Sequence, residues 1–201
     1  MKIGVLALQG DFAEHISVLR SLGVEAVEVR LPEQLEGLDG LIIPGGESTT
    51  IGKLAEDFSL IEPLRRFAQE KPTWGTCAGA ILLSKDIHRS QPLLGLMDIS
   101  VERNAFGRQV ASFETDLVVP ALEEVDASNR PYHAVFIRAP LIESVSGEAK
   151  SIAALPDGRI IAAQQGHLIA TSFHPELTED DRFHRYFLIL VERQRVGNPA
   201  G

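Results

Sequence analysis

Two short segments of this chain carry, between them, the groups needed to open and close an acyl bond. The first, Gly75-Thr76-Cys77-Ala78-Gly79, holds the chain's single cysteine between two glycines. It falls where an apolar run gives way to a helical pattern, the setting of a nucleophile elbow, which lifts a side chain out of a tight strand-to-helix turn. A free thiol titrates near ~8.5, so a nucleophilic cysteine needs a base and gains from the partial positive charge of a helix N-terminus. The second segment, Ser172-Phe173-His174-Pro175-Glu176, places an imidazole and a carboxylate two residues apart at a strand end. In extended backbone such residues project to the same side ~7 Å apart, so Glu176 can turn onto one ring nitrogen of His174 and leave the other facing a thiol. Cys77, His174 and Glu176 then form a nucleophile, base and orienting acid for acyl transfer.

A third segment, Pro44-Gly45-Gly46-Glu47-Ser48-Thr49, also leaves an apolar run and enters a helical one. Its amides can converge on a negative charge, which assigns Gly45 and Gly46, together with the amide of Ala78, to an oxyanion hole. A phosphate loop is excluded by count: five residues separate Gly46 from Gly52, and Leu54 follows Lys53 where Ser or Thr is required. Each segment also has a plain structural reading: a packing cysteine, a His-Pro-Glu turn with a helix-capping acid, and a Gly-Gly turn capped by Ser48 or Thr49. The coexistence of elbow and His-x-Glu favours chemistry. The remaining histidines, His15, His88, His133, His167 and His184, form no spacing that suggests a metal site, and core or surface roles suffice for them.

These segments need a scaffold. Ile3 to Leu8, Gly40 to Pro44 and the run from Pro72 to Gly75 read as strands buried on both faces, and Val24 to Val29 as an alternating one. Helical patterns follow: one capped by Asp11 and stopped by Gly23, then Ser48 to Glu56, Leu60 to Glu70 and Ala78 to Lys85. Strand-helix-strand alternation implies a parallel sheet. From Leu96 to Ala170 short alternating segments take over (Ile99 to Glu102, Val110 to Val119, Ala134 to Ile137, Ile160 to Gln164, and Leu168 to Ser172), separated by turn residues, which implies antiparallel strands. A helix over Asp180 to Val196 closes the fold, with Glu179, Asp180 and Asp181 as its solvated acidic start and residues 197–201 as a frayed tail. The expected class is α/β, a three-layer sandwich with a mostly parallel central sheet flanked by helices and a β-rich second half.

Composition sets bounds. The 201 residues suit one domain, 1–201, with a sizeable core. A formal net charge of -9 with no basic, aromatic-studded stretch excludes nucleic acid as a partner. The apolar run near the N-terminus is too short for a signal peptide, and no run spans a membrane. One cysteine permits no intrachain disulfide, so cytoplasm is the expected compartment.

Together the three motifs resemble class I (triad-type) glutamine amidotransferases. Leu6-Ala7-Leu8-Gln9-Gly10, Pro44 to Thr50, Gly75 to Gly79, Val101 to Gln109, Phe136-Ile137-Arg138-Ala139-Pro140 and Ser172 to Thr178 are similar to the glutaminase subunits of pyridoxal 5'-phosphate synthase. That resemblance spans nearly the whole chain, from Ile3 to about Val196. It implies hydrolysis of L-glutamine to glutamate and ammonia, ammonia delivery through a channel to a (β/α)₈ synthase subunit, low activity before docking, and no cofactor or metal in this chain. It further implies that Gly46, Glu47, Ser48, Arg103, Ile137 and Arg138 hold glutamine, the guanidinium groups suiting its α-carboxylate. The alternatives are a glutaminase of another pathway, a free-standing cysteine amidase, and a non-enzymatic regulatory module on the same scaffold.

Overall fold

In the computed structural model, which describes residues 1–103 and 112–197, the apolar runs of the first half become adjacent parallel strands. β1 (Lys2–Leu6) pairs with β2 (Glu25–Val29) and β3 (Gly40–Ile43), and β3 pairs with β4 (Thr73–Thr76), all in parallel. The next neighbour of β4 is β12 (Leu168–Thr171), also parallel although it comes from near the chain's end. This pairing sets the segment after β12 beside the segment after β4.

Beyond β12 the sheet turns mixed. β11 (Ile160–Gln165) runs antiparallel to β12 and meets β9 (Leu141–Val145), which is antiparallel to β6 (Met97–Glu102). β5 (Ser84–Asp86) edges β6 in parallel, and β10 (Lys150–Ala154) pairs with β11. A separate antiparallel ribbon joins β7 (Ser112–Leu117) to β8 (Tyr132–Ile137).

Side chains alternate across the sheet and so define two cores. Leu6, Leu41 and Ile43 face the layer formed by α2 (Ser48–Asp57), α3 (Ile61–Glu70) and α4 (Ala78–Leu83), where Ile51, Ala55, Leu64, Ala68 and Leu82 pack. Ile3, Val5, Ile42 and Trp74 face α1 (Phe12–Ser21) and α5 (Arg182–Gly197), packing with Ile16, Leu19, Phe183 and Phe187. The ribbon joins this second core through Leu117, Tyr132, Ala134 and Phe136. The expected three-layer α/β arrangement is therefore present, with its mostly parallel sheet and antiparallel second half.

Several expectations need correction. The helix expected to run to Lys85 ends at Leu83, because Ser84 turns to extended backbone (φ -66°, ψ 153°) and opens β5. Asp11 makes no side-chain cap on α1. The last helix begins at Arg182, and Asp180 is not a solvated acid: its carboxylate, 11% exposed, holds the buried Arg182 guanidinium at 2.6 and 2.9 Å. Gly197 still belongs to α5, while the remainder of the expected tail, 198–201, lies outside the described residues. So do positions 110 and 111 of the expected Val110 to Val119 strand and the Asn104 to Gln109 part of the quoted motif.

Candidate active site

The C-terminal ends of β1, β3, β4 and β12 share one edge of the sheet, where the loops of an open α/β fold bind ligands. At the end of β4, Cys77 adopts φ 48° and ψ -103°, a left-handed conformation that L side chains avoid, and is the residue before α4. Its amide bonds the Thr171 carbonyl of β12 at 2.8 Å. The turn depends on its flanking glycines. A Cβ on Gly79 would lie 1.9 Å from the Ile43 carbonyl oxygen, and one on Gly75 would lie 2.4 Å from Gly79 backbone. Only bare backbone lets α4 approach β3 and β4 this closely.

After β12 the chain passes through buried Phe173 to His174, and Pro175–Leu177 forms a single 3-10 turn. The His174 amide donates to the Val135 carbonyl of β8 at 2.8 Å, which anchors the ring. Its Nδ1 lies 2.7 Å from Glu176 Oε1, and Cys77 is close enough to act on the charge of the ring. Thus the structure brings Cys77 together with His174 and Glu176, which lie nearly a hundred residues further along the chain.

The sequence reading missed two neighbours of this group. Asp11, in the loop after β1, puts Oδ2 3.4 Å from His174 Nδ1, and its amide donates to the Gly45 carbonyl at 3.1 Å. His15, wholly buried on α1, puts Nε2 3.2 Å from Glu176 Oε2. Neither shows a local spacing to the triad residues. Only the apolar face of α1 that carries His15, Ile16 and Leu19 inward hints at a buried role.

Electrostatics follow from this packing. Burial disfavours a charge on His174, but hydrogen bonds to Asp11, Cys77 and Glu176 outweigh it and raise its pKa to about 12. Burial likewise opposes charge on Glu176, yet the facing rings of His15 and His174 hold its carboxyl well below the usual carboxylate range. Asp11, His174 and Glu176 present three potential metal-ligating atoms within 4.8 Å of one another. A cation there would have to displace the 2.7 Å Nδ1–Oε1 bond, so the donor set suits a proton better than a metal.

The glycine turn sits against this group. A Cβ on Gly45 would lie 2.5 Å from His174 Cε1, so the position excludes any side chain. Gly46 packs against Gln9, whose Oε1 accepts the Glu47 amide at 2.7 Å. That amide is therefore occupied, while Ala78 is the buried first residue of α4, directly after Cys77.

Of the residues that the resemblance assigned to glutamine, Glu47 caps α2 through the Thr49 and Thr50 amides at 3.1 and 2.7 Å. Burial opposes its charge, but the Thr50 hydroxyl and these amides bring its pKa to about 2. Arg103 is held by Glu47 Oε1 at 2.9 Å and by Thr49 Oγ1 and Gln91 Oε1, both at 3.0 Å. Ser48 is buried and reaches Gln91 at 3.5 Å. Glu47, Ser48 and Arg103 thus form one polar cluster, to which Thr49 and Gln91 are additions. Ile137 closes β8 and Arg138 follows it, both exposed, Arg138 with φ 46°.

A mostly parallel sheet whose carboxyl edge carries a strained cysteine elbow and a carboxylate-held histidine is the scaffold of a class I glutamine amidotransferase. A solved structure described as a glutamine amidotransferase superposes with a TM-score of 0.87 at 51% identity, covering 94% of this chain and 98% of the other. The chain belongs to the SNO glutamine amidotransferase family, whose model matches residues 5–193. It is 60% identical over 193 residues to the pyridoxal 5'-phosphate synthase subunit PdxT of Herpetosiphon aurantiacus, covering 94% of this chain and 99% of that protein. It is 57% identical over 193 residues to the PdxT of Moorella thermoacetica, covering 95% and 100%. Among the described residues no helix is long and apolar enough to cross a membrane.

Proposed function

We propose that this chain is the glutaminase subunit of a pyridoxal 5'-phosphate synthase, a single glutaminase domain over residues 1–201 that works in the cytoplasm. It hydrolyses L-glutamine to L-glutamate and ammonia and delivers the ammonia to a (β/α)₈ synthase subunit. The observation that carries the chemistry is Cys77 in its left-handed turn, beside a His174 that Glu176 holds at 2.7 Å. The biosynthetic role rests on the naming of relatives at 57–60% identity along nearly the full chain.

With His174 holding a proton, the pair can exist as imidazolium and thiolate. The sulfur attacks the side-chain amide carbon of glutamine, and the oxygen takes up negative charge opposite amides of the Gly45–Gly46 turn and Ala78. His174 passes its proton to the nitrogen, the C–N bond breaks and ammonia leaves a thioester on Cys77. A water, deprotonated by His174, then attacks the thioester carbon; glutamate departs, and the thiolate and imidazolium are restored. Glu176 fixes the ring and stabilises its charge throughout. Arg103 and Arg138 take the α-carboxylate, and Gly46, Glu47, Ser48 and Ile137 shape the rest of the glutamine site. Since Glu47, Thr49 and Gln91 already engage Arg103, substrate must compete with them.

Glutamate release by wild type and Cys77→Ala, each with and without a pyridoxal phosphate synthase subunit, tests the reading. Wild type should release glutamate faster in the complex than alone, and Cys77→Ala should release none. Activity that persists in the variant removes Cys77 from the mechanism, and full wild-type activity without a partner identifies a free-standing amidase instead.

A further inference from the structure

Behind Glu176 the core holds two histidines that acyl transfer does not use. His15 on α1 and His184 on α5 are both wholly buried, packed edge-on to the ring of Trp74. His15 Nδ1 lies 3.0 Å from His184 Nε2. On its other side, His15 Nε2 is hydrogen bonded to Thr76 Oγ1 at 3.2 Å and approaches Glu176 Oε2 off-axis at the same distance. Thr76 directly precedes Cys77, so one imidazole touches both the elbow strand and the acid. A leucine would fill this volume without burying a polar ring, so hydrogen bonds must offset the desolvation of His15. Glu176 Oε1 is taken by His174, and the buried Oε2 has no conventional hydrogen-bond partner; a buried carboxylate oxygen needs a donor, and the nearby His15 Nε2 can supply it.

The proton positions follow. Burial pushes the pKa of His184 well below the ordinary value, so His184 is neutral. Its Nδ1 has no partner, which leaves Nε2–H to donate to His15 Nδ1 and fixes the His15 proton on Nε2, aimed at Thr76 and Glu176. We propose that His15 is a positioning residue of the active site: through Nε2 it orients the outer oxygen of Glu176, so that the inner oxygen meets His174, while His184 locks its tautomer. The triad thereby becomes the outer end of a five-residue relay that continues through His15 to His184 in the core.

This inference rests on the glutaminase reading, and the test separates the two. His15→Phe fills the space without a donor; His15→Gln restores one where Nε2 stood. With the synthase partner present, His15→Phe should lower kcat roughly ten- to a hundred-fold, the effect of losing a hydrogen bond to a charged group, while KM for glutamine stays within about two-fold. The groups facing Glu176 and His15 are His174, Cys77, Asp11, His184 and Tyr132. Among these, loss of the His15 donor makes Glu176 easier to protonate. The acid limb of the pH profile should therefore move to higher pH, both in kcat and in alkylation of Cys77 by iodoacetamide, which needs neither glutamine nor partner. His15→Gln should recover most of the rate and the wild-type limb. Wild-type kcat and pH profile in His15→Phe overturn the proposal, as does a His15→Gln enzyme as impaired as the phenylalanine variant. Should His15→Phe fail to fold, the glutamine variant decides alone, by the same two readouts. A wild type that releases no glutamate in the complex refutes the glutaminase reading, and the alkylation profile still judges His15.

Discussion

At the scale of single residues, Cys77 sits in strained backbone and is 7% exposed, and His174 and Glu176 are buried beside it. The carboxylate's contribution is chiefly charge, since Glu176→Gln keeps an oxygen for His174 Nδ1–H but removes the anion that stabilises the imidazolium. We expect kcat for glutamine hydrolysis in the complex to fall by on the order of 10²–10⁴ with little change in KM. A loss below ten-fold would mean that Asp11, 3.4 Å from the same nitrogen, supplies the charge instead. The grouping of Cys77, His174 and Glu176 could be proposed from sequence because two of them lie two residues apart and the third stands between glycines at a strand-to-helix junction. Asp11 and His15 were not. Each reaches the site from α1 or its leading loop, over 150 residues from Glu176, and nothing in local spacing encodes which buried side chain of a helix will face a distant carboxylate. The Arg103 cluster was legible only by resemblance, because its partners Thr49 and Gln91 are unremarkable polar residues until the chain folds.

At the scale of elements, β1, β3 and β4 could be read as parallel strands because strands covered on both faces are largely apolar, whereas β12, grouped by sequence with the antiparallel half, pairs in parallel with β4. Three strands escaped. β5 is three residues long and follows the apolar end of α4 without a break. β9 has exposed Glu143 and Ser144 at its centre, which spoils alternation. β10 carries two alanines, weak strand formers, and its register with β11 shifts twice. The elbow depends instead on α4 lying against β3 and β4. Gly79→Ala tests that dependence, since its Cβ would sit 1.9 Å from a main-chain oxygen that no rotamer change can move. Urea unfolding should show a loss of about 3 kcal/mol or more with an unchanged m-value. Glutamine hydrolysis should fall with it, because the displaced helix carries the Ala78 amide. A variant as stable as wild type would mean that β3 and α4 can separate without harm.

At the scale of the whole molecule, the buried titrating groups of the site make stability depend on pH in a dome. His174 has a raised pKa, about 12 in the folded state. Its contribution is complete below the unfolded value of ~6.5 and is lost as pH climbs from there toward 12. The exposed His88 and His133, also raised by carboxylate partners, act in the same direction and are weakened by solvent. His184 is shifted the other way: burial keeps it neutral, so its contribution is complete above ~6.5 and is lost as pH falls and the unfolded chain takes up a proton that the core refuses. Glu176, held well below the carboxylate range, adds a further loss as pH drops below ~4.3. Each uncompensated proton contributes a slope of up to about 1.4 kcal/mol per pH unit, so the two histidines set opposing arms that meet near pH ~6.5. Unfolding free energies from urea titrations between pH 5 and 9 should therefore peak in the middle of that range. His184→Phe should flatten the acid arm and leave the alkaline arm intact, and His174→Leu should do the reverse. A wild type whose stability rises steadily from pH 5 to 9 would mean that the imidazolium at the site adds nothing to folding, and would leave the proton on His174 to be explained by the reaction alone.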